Sequence, residues 1–321
     1  MDLKNKLNSI SPLIGNTPLV NIVCEVLGRK INVFSKCEMY NLSGSIKDRC
    51  VINILDNAIM CGLVDRNTSI FESSSGNTGI SLASICAYIG VKANIVLPKN
   101  VSSERKKIIA MYGANVFETE SGIRETLNEM VKNKSNVFLL KQFENIENVN
   151  AHYFGTGIEI INQCRTAPDC FCAGVGTGGT FMGVGKRLKK EWDKIELFAL
   201  QSENVNLLNF GNGGEHKLQG LATEFTPDLY NKNLHHEVVS LNDNDCIYVA
   251  QQLAKKLGLG VGITSGANLL GVLKVCYEKN FDSGVTVFPD DNKKYLSTAL
   301  SKEINPSKFA KNIKLIRTYV L

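Results

Sequence analysis

Three segments of the chain place small residues where a ligand could reach the backbone. "NLSGSIKDR" (41–49) holds Lys47 among small residues, where a turn is predicted to end and a helix to begin. "SSSGNTG" (73–79) consists only of Ser, Gly, Asn and Thr, and "GVGTGGT" (174–180) contains four glycines within six residues. Each segment leads into a predicted helix, whose first backbone N–H groups have no partner within the helix.

Segment 73–79 predicts a carboxylate-binding site. Its hydroxyl and amide side chains, together with the N–H groups of the following helix, favour a bound anion. A plain helix N-cap is the alternative, because Ser, Asn and Thr are common capping residues. A cap needs only one such residue, whereas this whole segment is of that composition, so we favour the binding role.

Segment 174–180 predicts a phosphate-binding site, because glycines let the backbone wrap around an anion at a helix start. Gly174, Gly176 and Gly179 match the G-x-G-x-x-G pattern, which alone is a weak signal. A dinucleotide site also needs an acid at the end of the next strand. That strand ends near Gln201, and Glu196 lies at its beginning. We therefore expect a single phosphate rather than NAD. A tight turn without a ligand is the alternative, but such a turn needs fewer glycines.

A fourth segment, "GVGITSGAN" (260–268), would present the hydroxyls of Thr264 and Ser265 at a helix start. A cap and a binding role are equally compatible with this pattern.

A lysine among small residues, a carboxylate nest and a monophosphate cradle together fit pyridoxal 5′-phosphate with an amino-acid substrate. A lysine that condenses with an aldehyde must be held close and partly desolvated, so that its amine can be neutral. Taken alone, Lys47 is more typical of an exposed lysine in a first helical turn. A nicotinamide-dependent oxidoreductase and a non-catalytic, partner-binding paralogue are the alternatives from other classes.

The composition excludes several other functions. The 321 residues are 44% apolar, enough for one large core or two domains, and the net charge of +5 comes without long runs of one sign. Nucleic-acid binding is therefore not expected, and anionic small molecules are the natural partners. The apolar stretch 80–97 is broken by Lys92 and Asn94, so no membrane span is predicted.

The histidines and cysteines predict no metal site. The four histidines have no zinc-binding spacing, and the ten cysteines form no C-x-x-C. Scattered cysteines without a signal peptide indicate buried thiols in a cytoplasmic protein.

Strands and helices alternate along the sequence. The predicted strands are 31–39, 69–73, 92–98, 114–119, 136–141, 169–175, 195–201 and 284–289. The predicted helices are 46–62, 77–90, 103–113, 150–164, 180–191, 243–257, 265–279 and 293–303. This alternation predicts an α/β fold with parallel sheets, helices on both faces and ligands beyond the carboxyl ends of strands. Polar loops divide it into a larger domain, 1–45 plus 150–321, and a smaller inserted domain, 46–149.

Six segments resemble motifs of the cysteine synthase and cystathionine β-synthase family of fold-type II pyridoxal phosphate enzymes. They are "IGNTPLV" (14–20), "NLSGSIKDR", "SSSGNTG", "QFENIENVNAHYFGTG" (142–157), "GVGTGGT" and "PDDNKKYLST" (289–298). The resemblance implies two domains with parallel or mixed β-sheets and flanking helices, like the β subunit of tryptophan synthase. It also implies a homodimer and a mobile smaller domain, and it leaves docking to a serine acetyltransferase open.

The resemblance also implies a role for each motif residue. Lys47 would bind the cofactor covalently, Asn77 would contact its ring hydroxyl, and Thr264 would face its pyridine nitrogen. The phosphate would be held by Gly176, Thr177, Gly178, Gly179 and Thr180. The carboxylate of a small amino-acid substrate would be held by Ser74, Ser75, Asn77, Thr78 and Gln142.

The implied reaction is β-elimination or β-replacement on cysteine, serine or O-acetylserine through an aminoacrylate intermediate. Lys47 would take the Cα proton. Because the neutral hydroxyl of Thr264 cannot protonate the pyridine nitrogen as an aspartate would, elimination is favoured over transamination.

Two departures from the family pattern bear on the substrate. Cysteine synthases usually have Q-G-I-G-A-G-F where this chain has "QGLATEF" (219–225), and P-D-S-G-E-R-Y where it has "PDDNKKY" (289–295). Serine-forming, sulfide-releasing cysteine lyases of the family also place an acid at the position of Glu224. This resemblance implies a cysteine lyase that releases hydrogen sulfide and forms serine, or lanthionine with a second cysteine. Glu224 would be a catalytic acid and base if burial makes it easier to protonate. A surface glutamate in an ordinary cysteine synthase that uses O-acetylserine is the alternative.

Overall fold

The chain folds into two β-sheets with helices packed against them. The computed structural model describes residues 2–74, 76–99, 101–120, 122–222 and 224–321. The strands are β1 (Leu19–Val26), β2 (Arg29–Cys37), β3 (Ser69–Ser73), β4 (Lys92–Pro98), β5 (Asn115–Thr119), β6 (Val137–Leu139), β7 (Cys170–Gly174), β8 (Glu196–Ser202), β9 (Glu237–Leu241), β10 (Ser283–Phe288) and β11 (Ile313–Val320). The predicted α/β fold with parallel and mixed sheets is confirmed.

The α-helices of the described residues include seven of the eight predicted from the sequence and four that were not predicted, at 3–10, 123–131, 207–210 and 308–311. They are α1 (Leu3–Ile10), α2 (Lys47–Met60), α3 (Asn77–Ile89), α4 (Ser103–Met111), α5 (Ile123–Val131), α6 (Glu147–Ala151), α7 (Gly157–Gln163), α8 (Gly179–Glu191), α9 (Leu207–Phe210), α10 (Asp243–Leu257), α11 (Ile263–Lys279) and α12 (Lys308–Lys311). A single π-helical turn, His152–Thr156, joins α6 to α7. No helix in the described ranges is long and apolar enough to cross a membrane.

The larger sheet has seven strands in the order β11-β1-β2-β10-β7-β8-β9. Strand β1 is antiparallel to both of its neighbours, and the other five consecutive strands from β2 to β9 are parallel. Apolar residues of α10 and α11, such as Ile247 and Val272, cover one face, and those of α7 and α8, such as Ile160 and Phe181, pack in a second cluster. The carboxyl ends of β2, β10 and β7 therefore meet at one edge, where the Lys47 turn and the glycine-rich segment begin.

The smaller sheet has four parallel strands in the order β5-β4-β3-β6. Helices α2 and α3 pack on it through buried residues such as Ile54 and Ile85. Leu3 and Leu7 of α1 belong to the same cluster, although they precede the boundary predicted near residue 45. The division into domains at 45 and 150 stays a prediction.

One predicted helix is wrong. Residues 293–303 form two short 3-10 helices, Asn292–Tyr295 and Ala299–Ser301, instead of one α-helix. The side chain of Asp291 caps the first by accepting from Lys293 N, and that of Thr298 caps the second by accepting from Leu300 N. Thr298 lies within the predicted helix, and its cap starts a new helix there, so one continuous helix does not form.

Candidate active site

Lys47 is the first residue of α2 and follows a tight turn. Gly44 has a φ of +81°, which favours glycine, and Ser45 Oγ accepts from Lys47 N at 3.3 Å. The backbone N–H of Ile46 donates to Pro289 O at 2.8 Å, just after β10. The turn that presents the lysine is therefore attached to the end of a central strand.

Two buried charged residues hold the same turn. Lys294 Nζ donates to the carbonyls of Ser43 and Gly44 at 3.1 and 3.0 Å. The carboxylate of Asp48 accepts from Ser43 N at 2.7 Å and from its hydroxyl at 2.5 Å. Burial lowers the pKa of Lys294 and raises that of Asp48. The sequence interpretation did not identify Lys294, because a lysine beside Lys293 looks like a surface residue.

The glycine-rich segment is packed so closely that its glycines cannot be replaced freely. Gly178 has a φ of +86°. A Cβ on Gly176 would lie 2.2 Å from Gly220 O, and one on Gly179 would lie 2.1 Å from Asn148 Oδ1. Helix α8 starts at Gly179, and Gly178 and Thr180 line the same cavity as Lys47, so the positive end of the helix dipole lies at this cavity.

The two threonines of this segment have buried polar partners. Thr177 Oγ1 accepts from Asn148 Nδ2 at 3.0 Å and from Gly179 N at 3.3 Å. Thr180 Oγ1 lies 3.2 Å from His152 Nε2. Burial lowers the pKa of His152 well below its ordinary value, so the ring is neutral. Asn148 and His152 lie within the motif 142–157, but the sequence does not indicate which of its residues turn inward.

Asn77 begins α3 and contacts an acid. Its Nδ2 donates to Asp290 Oδ2 at 2.7 Å, and the hydroxyl of Tyr295 donates to the same oxygen at 2.7 Å. Asp290 is buried, and burial raises its pKa. Both residues line the cavity with Lys47. Asp290 is a second residue that sequence reasoning missed, although it stands in a quoted motif.

Thr264 also lines the cavity. Its Oγ1 donates to Gln219 O at 2.7 Å, so the hydroxyl oxygen is left as an acceptor. Helix α11 brings it to this place, because Gly262 N donates to Asp290 O at 3.0 Å.

The predicted carboxylate-binding residues lie around the start of α3. Ser74 Oγ accepts from Gly76 N and Gly79 N, each at 3.3 Å. Thr78 Oγ1 donates to Gln142 Oε1 at 2.5 Å. Ser75, which was predicted to bind the same group, lies outside the described residues.

Glu224 is exposed, so the burial on which its predicted catalytic role depends is not seen. The next residue, Phe225, packs edge-on against Phe143, with ring centroids 5.1 Å apart. The guanidinium of Arg124 lies 3.8 Å from the centroid of the Phe225 ring. The segment that carries Glu224 thus contacts α5, a helix that packs against the smaller sheet.

The cavity brings most of the predicted cofactor residues together. It is lined by Lys47, Asn77, Gly176, Thr177, Gly178, Thr180 and Thr264. Three buried polar atoms of its lining residues have no hydrogen-bond partner within the described ranges: Asn77 Oδ1, Gln219 Oε1 and Asp290 Oδ1. A buried polar atom without a partner is costly. A polar ring with a phosphate at the glycine-rich segment fits this arrangement.

Comparison with known proteins decides the class. The chain matches the family model of pyridoxal-phosphate dependent enzymes over residues 10–290. The chain belongs to this family. Cysteine synthase B of Campylobacter jejuni is 40% identical to it over 296 residues, which cover 91% of this chain and 97% of that protein.

Solved structures agree with this membership. A hydrogen sulfide-producing enzyme from Fusobacterium nucleatum matches with a TM-score of 0.93 and 38% identity, over 99% of each chain. A cysteine synthase from Entamoeba histolytica matches with a TM-score of 0.85 and 33% identity, over 94% of this chain and 93% of that one. The predicted family, pyridoxal phosphate dependence and action at the β-carbon of an amino acid are confirmed, and a nicotinamide-dependent oxidoreductase is excluded.

Proposed function

We propose that this pyridoxal phosphate enzyme is a cysteine lyase that releases hydrogen sulfide. Serine forms when water adds at the β-carbon, and lanthionine forms when a second cysteine adds. The observation that carries this choice is the similarity to the hydrogen sulfide-producing enzyme, at a TM-score of 0.93 over 99% of both chains. Cysteine synthase acting on O-acetylserine is the second candidate, supported by the 40% identity to the Campylobacter enzyme.

The cavity suggests which residues hold the cofactor. Lys47 would form the covalent link, and segment 176–180 with the start of α8 would hold the phosphate. Asn77 would meet the ring hydroxyl through its unpartnered Oδ1. When bound, pyridoxal phosphate accepts the electron pair of the broken Cα–H bond, which makes loss of the β-substituent feasible.

In this proposal Thr264 withholds a proton from the cofactor ring, whereas Lys47 accepts a proton from the substrate. The hydroxyl of Thr264 gives its hydrogen to Gln219 O, so it offers no proton to the ring nitrogen. This arrangement favours elimination over transamination. Lys47, once released, takes the Cα proton, and the turn fixed by Lys294 and Pro289 holds its backbone in place.

Glu224 is proposed as the acid and base for the group at the β-carbon. Gln219 and Gly220 line the cavity, and Glu224 follows four residues after Gly220. Since Glu224 is exposed, this role requires the segment to bring the carboxyl group inward. We also propose a cytoplasmic homodimer in which residues 46–149 move as the smaller domain.

The test compares two reactions of the enzyme loaded with pyridoxal phosphate. We expect kcat/KM for sulfide release from cysteine to exceed kcat/KM for cysteine formation from O-acetylserine and sulfide. Lys47→Ala, the control, should lose both reactions. An enzyme that forms cysteine from O-acetylserine but releases no sulfide from cysteine is a cysteine synthase, and the proposal is then wrong.

A further inference from the structure

Glu72 is a buried acid directly behind the predicted carboxylate-binding residues. It lies on β3, two residues before Ser74, and is 3% exposed. Its Oε1 accepts from Gln142 Nε2 at 3.2 Å, and its Oε2 accepts from Gln142 N at 3.4 Å. It forms no ion pair with any residue that the structure describes. The proposed reaction gives this acid no task.

The hydrogen bonds around Glu72 use every donor of the Gln142 side chain. Gln142 Nε2 donates to Glu72 Oε1 and, at 3.4 Å, to Ser73 O. Gln142 Oε1 accepts the hydroxyl hydrogen of Thr78 at 2.5 Å. The amide and the hydroxyl therefore give all their hydrogens to acceptors of the protein, and none is left for a ligand. A substrate carboxylate, which only accepts hydrogen bonds, finds no donor on either side chain in this arrangement.

A proton on Glu72 reverses this chain of hydrogen bonds. An ionised carboxylate only accepts, so it compels Gln142 to present its NH₂ group. A protonated Glu72 donates to Gln142 Oε1 instead, and the amide turns over. Gln142 Nε2 then faces Thr78, whose hydroxyl accepts from it, so the hydroxyl hydrogen becomes free to bind an anion.

We propose that protonation of Glu72 opens the substrate-carboxylate site, so that binding of a carboxylate is coupled to uptake of one proton by Glu72. The inference rests on the proposed function, because it takes the start of α3 as the place where the substrate carboxylate binds. Only a proton moves, from solvent to Glu72, and no covalent bond to carbon forms or breaks.

The groups that face Glu72 are compatible with such a proton. Burial raises the pKa of Glu72 to about 7, opposed by hydrogen bonds from Gln142 and from the backbone of Ser73 and Lys141. From α2, the thiol of Cys50 is the titratable neighbour; burial raises its pKa to about 11, so it is neutral. From β4, the residue paired with Glu72 is the apolar Ile95.

The test uses propionate, a carboxylate with no amine to react with the cofactor. Calorimetric titration of the enzyme loaded with pyridoxal phosphate, in buffers of different ionisation enthalpy, measures protons taken up per ligand. With the pKa of free Glu72 at about 7, linkage predicts uptake of about nine-tenths of a proton near pH 8 and almost none near pH 5.5. Above pH 7, affinity should fall by up to about tenfold per pH unit.

Glu72→Gln is the decisive variant, because its amide donates to Gln142 Oε1 at every pH. It should bind propionate without extra proton uptake and with an affinity that no longer falls above pH 7. Glu144→Gln, an exposed site paired with Lys141, is the matched control and should behave like the wild type.

The outcomes separate the inference from the proposed function. If the wild type binds propionate but takes up no more protons than Glu72→Gln does, the coupling between carboxylate binding and protonation of Glu72 is wrong. The carboxylate site itself is unaffected by this result. If Glu72→Gln does not fold, the wild type alone still decides: binding of propionate near pH 8 without proton uptake overturns the coupling to Glu72. Failure of the wild type to bind propionate at any pH overturns both the site and the switch, while sulfide release from cysteine remains a separate measurement.

Discussion

Replacing Lys294 with methionine should release the turn that presents Lys47. Lys294 is 4% exposed, and its ammonium donates to two carbonyls of this turn, Ser43 O and Gly44 O. Asp290, Asp291 and Asp48 lie close enough to favour its charged form. Methionine keeps the length of the side chain but leaves both carbonyls without a donor and the acids without their cation.

The structure sets the size of this effect. A hydrogen bond from a charged group contributes about 1.5–3 kcal/mol, and removing one partner from a buried ion cluster typically costs about 3–5 kcal/mol. We expect Lys294→Met to lower the free energy of unfolding by about 3–5 kcal/mol. Because the turn also positions Lys47, the fraction of protein that carries pyridoxal phosphate covalently should fall as well.

The neighbouring lysine provides a matched control. The side chain of Lys293 is 83% exposed, so Lys293→Met should change stability by less than about 1 kcal/mol. Urea unfolding can be followed by the fluorescence of the single tryptophan, Trp192, and cofactor content by visible absorbance. Lys294→Arg, which restores a buried cation with donors, should recover most of both losses. Equal effects of Lys294→Met and Lys293→Met would refute the role of Lys294 in holding the turn.

Four further predictions follow from the site. Borohydride reduction of the enzyme loaded with cofactor, followed by peptide mass mapping, should place the pyridoxyl group on Lys47; an adduct on another lysine contradicts the assignment. Gly176→Ala should abolish cofactor binding in an absorbance titration, because its Cβ would lie 2.2 Å from Gly220 O. Glu224→Gln should slow serine formation from cysteine by ~10²–10⁴-fold in single-turnover assays, but hardly affect sulfide addition with O-acetylserine; an unchanged rate removes its catalytic role. Folding raises the pKa of Glu72 from 4.5 to about 7. The contribution of protonated Glu72 to the free energy of unfolding is therefore fully present below pH 4.5 and is lost as the pH rises through 7. Glu72→Gln should therefore gain up to about 3 kcal/mol relative to the wild type above pH 7, measured by urea unfolding at several pH values, and an equal difference at low and high pH would contradict this.

Much of the fold could be predicted because apolar runs alternate with amphipathic ones. Strands 69–73 and 92–98 and helix 243–257 occur with the predicted bounds. Strands β1, β9 and β11 were not predicted. The pairing of β11 with β1 joins residues about 300 positions apart, such as Val20 and Val320, so no local pattern indicates it. The prediction of one helix over 293–303 was wrong, because the cap at Thr298 starts a second short helix within this segment.

The parts of the site that could be predicted are the segments of small residues and glycines at the starts of helices. The Lys47 turn and the glycine-rich segment meet at one cavity because they follow parallel strands of the larger sheet, which end at one edge. The start of α3, which follows β3 of the smaller sheet, lines the same cavity through Asn77. Lys294, Asp290 and Asn148 could not be assigned, because their roles come from contacts with residues far away in the sequence. No local pattern distinguishes a lysine that is 4% exposed from its exposed neighbour.

The central claim, that the chain replaces the sulfur of cysteine with the oxygen of water, has one direct test. The enzyme loaded with pyridoxal phosphate is incubated with cysteine alone in heavy-oxygen water, and sulfide, serine, lanthionine and pyruvate are measured. We predict sulfide together with serine that carries the heavy oxygen on its β-carbon, and none of either with Lys47→Ala. Cysteine left unchanged by an enzyme that readily makes it from O-acetylserine and sulfide would contradict the account.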